Sequence, residues 1–397
     1  MTEFGQLPRV RVVSRRRALQ LGAASLAGWP SLSAIGGSDR LPLSRRPEAP
    51  DHFLVRISGS ARERGRAYGR RFSHEIHEFL ETQVYAAFVR KTATRDDMLR
   101  YAAACLGPIR KLSVELVEEL EGMAEGSGLR LEEQVLLTLH EELWHRGVIP
   151  SQGHCTAIAV GPPDTGDKKT YVAQSWDWMR EVYGKSQMLL WQRPNGPDVI
   201  AYSYPGLWAG AGLNSAGIAL CWTSALAVDK SIPGPRVGVP SYVLIAHLLA
   251  QPTLEAAAEE ARRATHAGWF TFVMADGKGR LMNIEGSPKR LVIKHARGTL
   301  SRVYFGTHEM TRTPKGQPVP AHPQCVRMRE LLGKAKGHID LATIQRFYGD
   351  HQTRWICKHF NSLDVMIFDC TSRRAYVTRG PGCLAQYKSF SFDGAPG

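Results

Sequence analysis

Apolar positions along this chain change their period near residue 153. Before it they recur at helical spacing. Tyr68, Phe72, Ile76, Phe79 and Leu80 fall every three or four residues, which predicts a helix from Ser60 to about Arg90. Phe53 to Ile57 is a short strand ahead of it. Further helices are predicted across Asp96 to Leu106, across Ser113 to Glu125 and, after a Gly126-Ser127-Gly128 turn, from Leu131 to about Trp144. From Gly153 the apolar residues come in short runs between turn residues: Cys155 to Val160, Thr170 to Gln174, Gln187 to Gln192, Val199 to Tyr204 and Gly217 to Trp222. Strands this close together leave no room for crossover helices, so they are expected to pair antiparallel. Pro240 to Ala250 and Thr253 to Ala264 read as a helix pair. Strands return at Trp269 to Met274, Leu281 to Glu285 and Leu291 to Lys294. Helices at Gln324 to Leu332 and Asp340 to Tyr348 precede strands at Val365 to Asp369 and Ala375 to Thr378. Two blocks of strands separated by helices predict two stacked sheets with helices outside, an α+β fold.

Composition narrows the picture. The chain has 397 residues, 43% hydrophobic and 22% charged, enough for one large domain or two medium ones. A net charge of +14 favours anionic partners, but no helix-turn-helix, zinc-finger or RNA-binding signature occurs, so nucleic acid is not an expected partner. The N-terminus holds Arg9, Arg11, Arg15, Arg16 and Arg17, then an apolar run from Leu19 to about Ile35. Tandem arginines before a short apolar segment resemble a twin-arginine export signal over residues 1–37, which implies a periplasmic or extracellular protein. Gly28, Trp29 and Pro30 interrupt the run, so no membrane span is expected in the mature form. Residues 38–51, rich in Pro and Arg, read as a linker. The seven cysteines are odd in number and widely spaced, without a C-x-x-C. That argues against a disulfide framework or a zinc ribbon, and no metal or cofactor is expected.

Several stretches could carry chemistry. Cys155 stands between a small polar loop, Gly153-His154, and a strand-like run. A thiol attacks carbonyls when its pKa is lowered or a base stands beside it. Were Cys155 the first residue of a chain, its α-amine, titrating at about 7.7–8.0, would be that base. On the residues alone, a buried structural cysteine is the better reading. In Ala173-Gln174-Ser175-Trp176-Asp177-Trp178 the two tryptophans fall on one face of a strand and Asp177 on the other. Asn214-Ser215-Ala216-Gly217 reads first as a hairpin turn. Thr307 or His308 could donate to an oxyanion, and Lys358 could hold a carboxylate or help activate a thiol. His140-Glu141-Glu142-Leu143-Trp144-His145 only imitates a zinc-protease motif. Its two histidines are five apart and share no helix face.

Together these stretches resemble the acyl-coenzyme A:6-aminopenicillanic acid acyltransferase family, peptidase family C45, among the N-terminal-nucleophile hydrolases. Arg64-Gly65-Arg66-Ala67-Tyr68-Gly69 and Glu118-Glu119-Leu120-Glu121-Gly122-Met123-Ala124-Glu125-Gly126 look like two of its helix motifs. Cys155-Thr156 is similar to its nucleophile site, Trp176-Asp177 to its "N-W-D", Gly212 to Gly217 to "G-x-N-S-A-G", Glu285 to Pro288 to "E-x-S-P" and Ile356-Cys357-Lys358 to "S-I-C-R".

The resemblance implies a four-layer αββα sandwich with a helical N-terminal segment. It implies a precursor that cuts itself between His154 and Cys155 into an α chain (52–154) and a β chain (155–397) that stay associated. Cys155 would attack the amide or thioester of a small-molecule acyl donor, with Asp177 positioning the amine. Thr307, His308 and Lys358 complete the implied catalytic set. Trp176, Trp178 and Thr223 are the implied substrate contacts. The departures from the family pattern are His154 for Gly, Thr307 for Asn and Lys358 for Arg, and Lys cannot clamp a carboxylate through two parallel bonds as Arg does. Thr307 and Lys358 motivate an alternative, a degenerate member that binds a ligand without turnover.

Overall fold

The computed structural model describes residues 49, 51–89, 94–147, 155–224, 236–303, 322–353 and 356–393. The expected export segment, residues 1–37, lies outside them. Among the described residues no helix is long and apolar enough to cross a membrane.

The N-terminal part is helical, as its pattern predicts, after strand β1 (Leu54–Ile57). Ser60 caps α1 (Ala61–Arg71) in a reciprocal capping box with Glu63. The long helix expected from Ser60 is instead broken. At Phe72 the backbone leaves the helical region (φ −116°, ψ 21°). The chain then resumes as α2 (Ser73–Phe79), a π turn at Leu80–Tyr85 and α3 (Ala86–Phe88). A one-residue break leaves apolar spacing nearly intact, so spacing does not register it. Next come α4 (Arg95–Leu112), α5 (Val114–Ser127), α6 (Leu131–Thr138) and α7 (His140–Gly147). Gly126 and Ser127 belong to α5, and Gly128, at φ 80°, closes it in the left-handed region.

The two helix motifs singled out in the sequence are the two sides of one crossing. Gly65 and Gly69 of α1 lie against the backbone of α5, and Gly122 and Gly126 of α5 lie against that of α1. A Cβ on Gly65 would fall on the Glu119 carbonyl. Beside the crossing, buried Arg64 donates to Glu119 Oε1 (2.9 Å), which also accepts from Trp191 Nε1 at 2.9 Å. The helix pair is thereby tied to the first sheet.

That sheet has eight strands in the order β1-β4-β5-β6-β7-β8-β9-β10. They are β4 (Gln187–Trp191), β5 (Val199–Tyr204), β6 (Leu207–Asn214), β7 (Ala219–Ser224), β8 (Phe270–Ala275), β9 (Leu281–Gly286) and β10 (Leu291–Ala296), beside β1. The second sheet has the order β11-β2-β3-β12-β13-β14. It is built from β2 (Thr156–Val160), β3 (Tyr171–Asp177), β11 (Thr299–Val303), β12 (Ser362–Asp369), β13 (Arg374–Val377) and β14 (Lys388–Ser391). The expected antiparallel pairing is found from β4 to β10 and throughout the second sheet. The exception is β1, which runs parallel to β4. Strands β6, β11 and β14 add to those expected.

Alternation along β2 explains the layering. Ile158 and Val160, with Tyr171, Ala173, Val365 and Ile367, face α10 (Pro323–Lys334) and α11 (Leu341–Tyr348), where Met328, Leu332, Ile344 and Phe347 meet them. Ala157 and Ala159 face the other way, into the core shared with the eight-stranded sheet. Helices α8 (Ser241–Leu249) and α9 (Leu254–Arg263) cover the far side of that sheet with the N-terminal helices. The order is helix, sheet, sheet, helix, a four-layer α+β sandwich.

Candidate active site

The site forms where β2 and β3 begin and end beside each other. Cys155 is half-buried and immediately precedes β2. The residue after it is fastened on three sides. Thr156 N donates to Ser175 Oγ (3.3 Å), its carbonyl accepts from Tyr348 of α11 (3.1 Å), and its hydroxyl accepts from the buried amide of Gln324. The Cys155 sulfur lies 3.9 Å from the carbonyl oxygen of Asp177, at the end of β3. Burial, and then the charge of Asp177, push the thiol up to about 12, against opposing contributions from Gln174 and Lys358.

Asp177 is buried with both carboxylate oxygens engaged. Oδ2 accepts from Lys358 Nζ at 2.8 Å and Oδ1 from Ser362 Oγ at 2.7 Å. Ser362 faces Asp177 across the β3–β12 register, and its hydroxyl also accepts from the Lys358 backbone N–H at 3.0 Å. Lys358 Nζ reaches Gln324 Oε1 at 3.5 Å. One network therefore joins the residue after the thiol to the carboxylate and its cation. It draws on β2, β3, β12, α10 and the segment ahead of β12.

The opposite face of β3 carries Gln174 and Trp176 toward the first sheet. Gln174 Oε1 accepts from Trp222 N at 2.9 Å, and Gln174 also favours the ionised form of the Cys155 thiol. Trp176 packs against Trp178 (ring centroids 5.9 Å apart), Tyr202 (5.3 Å) and Trp222 (6.2 Å), over the bare backbone of Gly210. The buried polar atoms Gln174 Nε2, Trp176 Nε1, Trp222 Nε1 and Thr223 Oγ1 have no hydrogen-bond partner among the described residues. Buried polar groups of native proteins are nearly always satisfied, so these atoms take partners beyond the described residues, from water, from the rest of the chain or from a bound group.

Of the residues read from the sequence, Cys155, Asp177 and Lys358 come together, and Trp176, Trp178 and Thr223 are also described. His154, Thr307 and His308 lie outside the described residues. Gln324, Ser362, Gln174 and Tyr348 were not anticipated. The one clue was Gln174, an amide within a buried strand. Asn214 is structural, as expected. Its side chain donates to the carbonyls of Leu249 (2.9 Å) and Gln251 (2.8 Å) and accepts from Ile218 N (2.9 Å), tying the β6–β7 turn to the end of α8. His140 is a core residue that accepts from Trp144 Nε1 at 3.0 Å.

No family model matches this sequence, and no curated protein sequence matches it. Solved structures do. The chain is similar to a mutant of conjugated bile acid hydrolase from Clostridium perfringens, at 12% identity and a TM-score of 0.40, covering 57% of this chain and 89% of that one. It is similar to penicillin V acylase from Agrobacterium tumefaciens, at 13% identity and a TM-score of 0.38, covering 60% and 91%. It is also similar to a mutant of Anbu from Hyphomicrobium sp. strain MC1, at 12% identity and a TM-score of 0.27, covering 54% and 81%. The chemistry of the site rests on its own geometry.

Proposed function

We propose that this chain is a self-processing cysteine amide hydrolase or acyltransferase of the N-terminal-nucleophile type, in line with the C45 resemblance. The observation that carries the reading is the thiol of Cys155, one residue ahead of β2, beside an Asp177 whose carboxylate is fixed by Lys358. A thiol pushed up to about 12 is almost wholly protonated at neutral pH and needs a base beside it. Asp177 is the carboxylate whose charge acts on the thiol, but its bonds to Lys358 and Ser362 make it an orienting group rather than a free base. Cutting the His154–Cys155 bond would supply the missing base as the α-amine of Cys155 itself, titrating at about 7.7–8.0.

In the cut, the thiol attacks the His154 carbonyl, the peptide C–N bond breaks as the Cys155 nitrogen takes up the Sγ proton, and water hydrolyses the resulting thioester to the His154 carboxylate and a free thiol. In turnover the Sγ proton passes to the α-amine as sulfur bonds to the substrate carbonyl carbon. The departing amine or thiol of the donor takes that proton and leaves an acyl group on Sγ. Water or an acceptor amine then releases the acyl group, and the thiol regains its proton. The unsatisfied polar atoms of Gln174, Trp176 and Thr223 serve as substrate contacts, and Gln174 Nε2 is a further candidate donor to the oxyanion. The two fragments would stay together, because β1 pairs with β4 and the helices share the sandwich core. Export by the twin-arginine route, to the periplasm or outside, belongs to the same reading.

The test is a panel of N-acyl amides and acyl thioesters given to the purified protein, with mass analysis of trapped adducts. An acyl adduct on the Cys155 peptide, absent in C155A, is expected. Undiminished turnover by C155A would contradict the assignment.

A further inference from the structure

We infer that His351, Cys357, His359 and Cys383 form a structural site for zinc. Their ligand atoms all lie within 4.8 Å of one another. His351 Nε2 is 2.9 Å from His359 Nε2, His359 Nε2 is 3.1 Å from Cys383 Sγ, and Cys357 Sγ is 3.4 Å from Cys383 Sγ. Zinc bonds of about 2.0–2.1 Å to nitrogen and 2.3 Å to sulfur place tetrahedral ligands roughly 3.3–3.8 Å apart, so small movements admit the ion. Two imidazoles and two thiols are the donor set that a borderline-soft divalent cation selects. Once the two thiol protons leave for solvent, the ion and its ligands sum to zero charge. Four protein ligands close the coordination sphere, which marks the site as structural rather than catalytic.

Three separate segments build the cluster, and each is held independently of it. His351 follows α11. Cys357 N donates to the carbonyl of Asp350 (3.2 Å), whose carboxylate takes two bonds from Arg327 (3.1 and 2.6 Å). Cys383 sits in a turn where Leu384 N donates to Pro381 O at 3.0 Å. A Cβ on Gly382 would lie 3.0 Å from the Tyr348 carbonyl, so this turn packs tightly on the end of α11. The sequence hides the site because its spacing fits no C-x-x-C frame. Five residues separate His351 from Cys357, one separates Cys357 from His359, and twenty-three separate His359 from Cys383.

The consequence lies in what stands between two of the ligands. Lys358 is flanked by Cys357 and His359, and its ammonium reaches Asp177. An ion held on both flanks fixes the backbone from which that ammonium extends. The site therefore positions the cation of the Cys155–Asp177 network without touching it.

The experiment needs neither activity nor cleavage at Cys155. Protein made without a metal-affinity tag is dialysed against metal-free buffer and its zinc measured by plasma mass spectrometry. About one zinc per chain is expected, falling below a tenth in H351A and C383S while circular dichroism stays native. H74A, altering an exposed histidine elsewhere, should keep its zinc. Cobalt substitution should give thiolate-to-metal absorption that C383S abolishes. Folded wild-type protein with less than a tenth of a zinc per chain, or a Cys357–Cys383 disulfide found by peptide mass mapping, would overturn the assignment.

Discussion

Lys358 Nζ and Asp177 Oδ2 lie 2.8 Å apart, with the lysine side chain 13% exposed and the aspartate side chain fully buried. The pair joins the segment ahead of β12 to the end of the strand beside Cys155. Removing the cation leaves a buried carboxylate uncompensated, a loss of about 3–5 kcal/mol. K358M should therefore lower the denaturant midpoint sharply, while D177N/K358M recovers part of the loss. A double-mutant cycle in urea measures this, and additive single losses would contradict the pairing.

Helix α1 and helix α5 meet through glycines, and the meeting should be intolerant of a methyl group. G65A should cost about 3 kcal/mol, because its Cβ would fall on the Glu119 carbonyl. G107A in α4 is the counterpart. Nothing lies within 4 Å of a Cβ there, so it should stabilise by about 0.5–1 kcal/mol. Thermal unfolding of both variants, with opposite signs, is the check.

The state of the Cys155 thiol predicts a pH dependence. A thiol raised to about 12 carries less thiolate at any given pH than an ordinary one. Precursor captured early after synthesis should therefore alkylate slowly with iodoacetamide, roughly tenfold faster per pH unit from 7 to 10. The processed chain, with its α-amine as base, should instead show an apparent pKa near 8. Indistinguishable profiles for the two forms would remove the case for the amine.

Glu141 of α7 gives a stability test. Burial, then the neighbouring Glu142, push it up to about 8 from 4.5. Between those values the folded chain holds a proton that the unfolded chain releases, so this contribution declines as pH rises through about 8. E141Q cannot ionise. Its stability relative to the parent should rise between pH 5 and 8.5 by up to about 4 kcal/mol. Denaturant midpoints at the two pH values settle it.

Much of this was legible in the chain because periodicity is local. The helix start at Ser60, the strand that follows Cys155 and the opposite faces of Trp176 and Asp177 all follow from residues a few positions apart. Strand β6 was not, since Ala209-Gly210-Ala211-Gly212 lacks the branched residues that announce strands. Its glycines are there to admit the Trp176 ring and the Leu249 side chain. The partners around the thiol's neighbours were hidden for another reason. Gln324 and Tyr348 reach Thr156, and Ser362 reaches Asp177, across well over a hundred residues of chain, and each alone looks like an ordinary polar residue. The four proposed zinc ligands lie closer together in the chain, but in no C-x-x-C frame.

Intact-mass analysis with N-terminal sequencing of the purified protein tests the central claim most directly. The account predicts two associated fragments, the second beginning Cys155-Thr156-Ala157. A single uncut chain in fresh, well-folded protein would contradict self-processing and favour a ligand-binding protein without turnover.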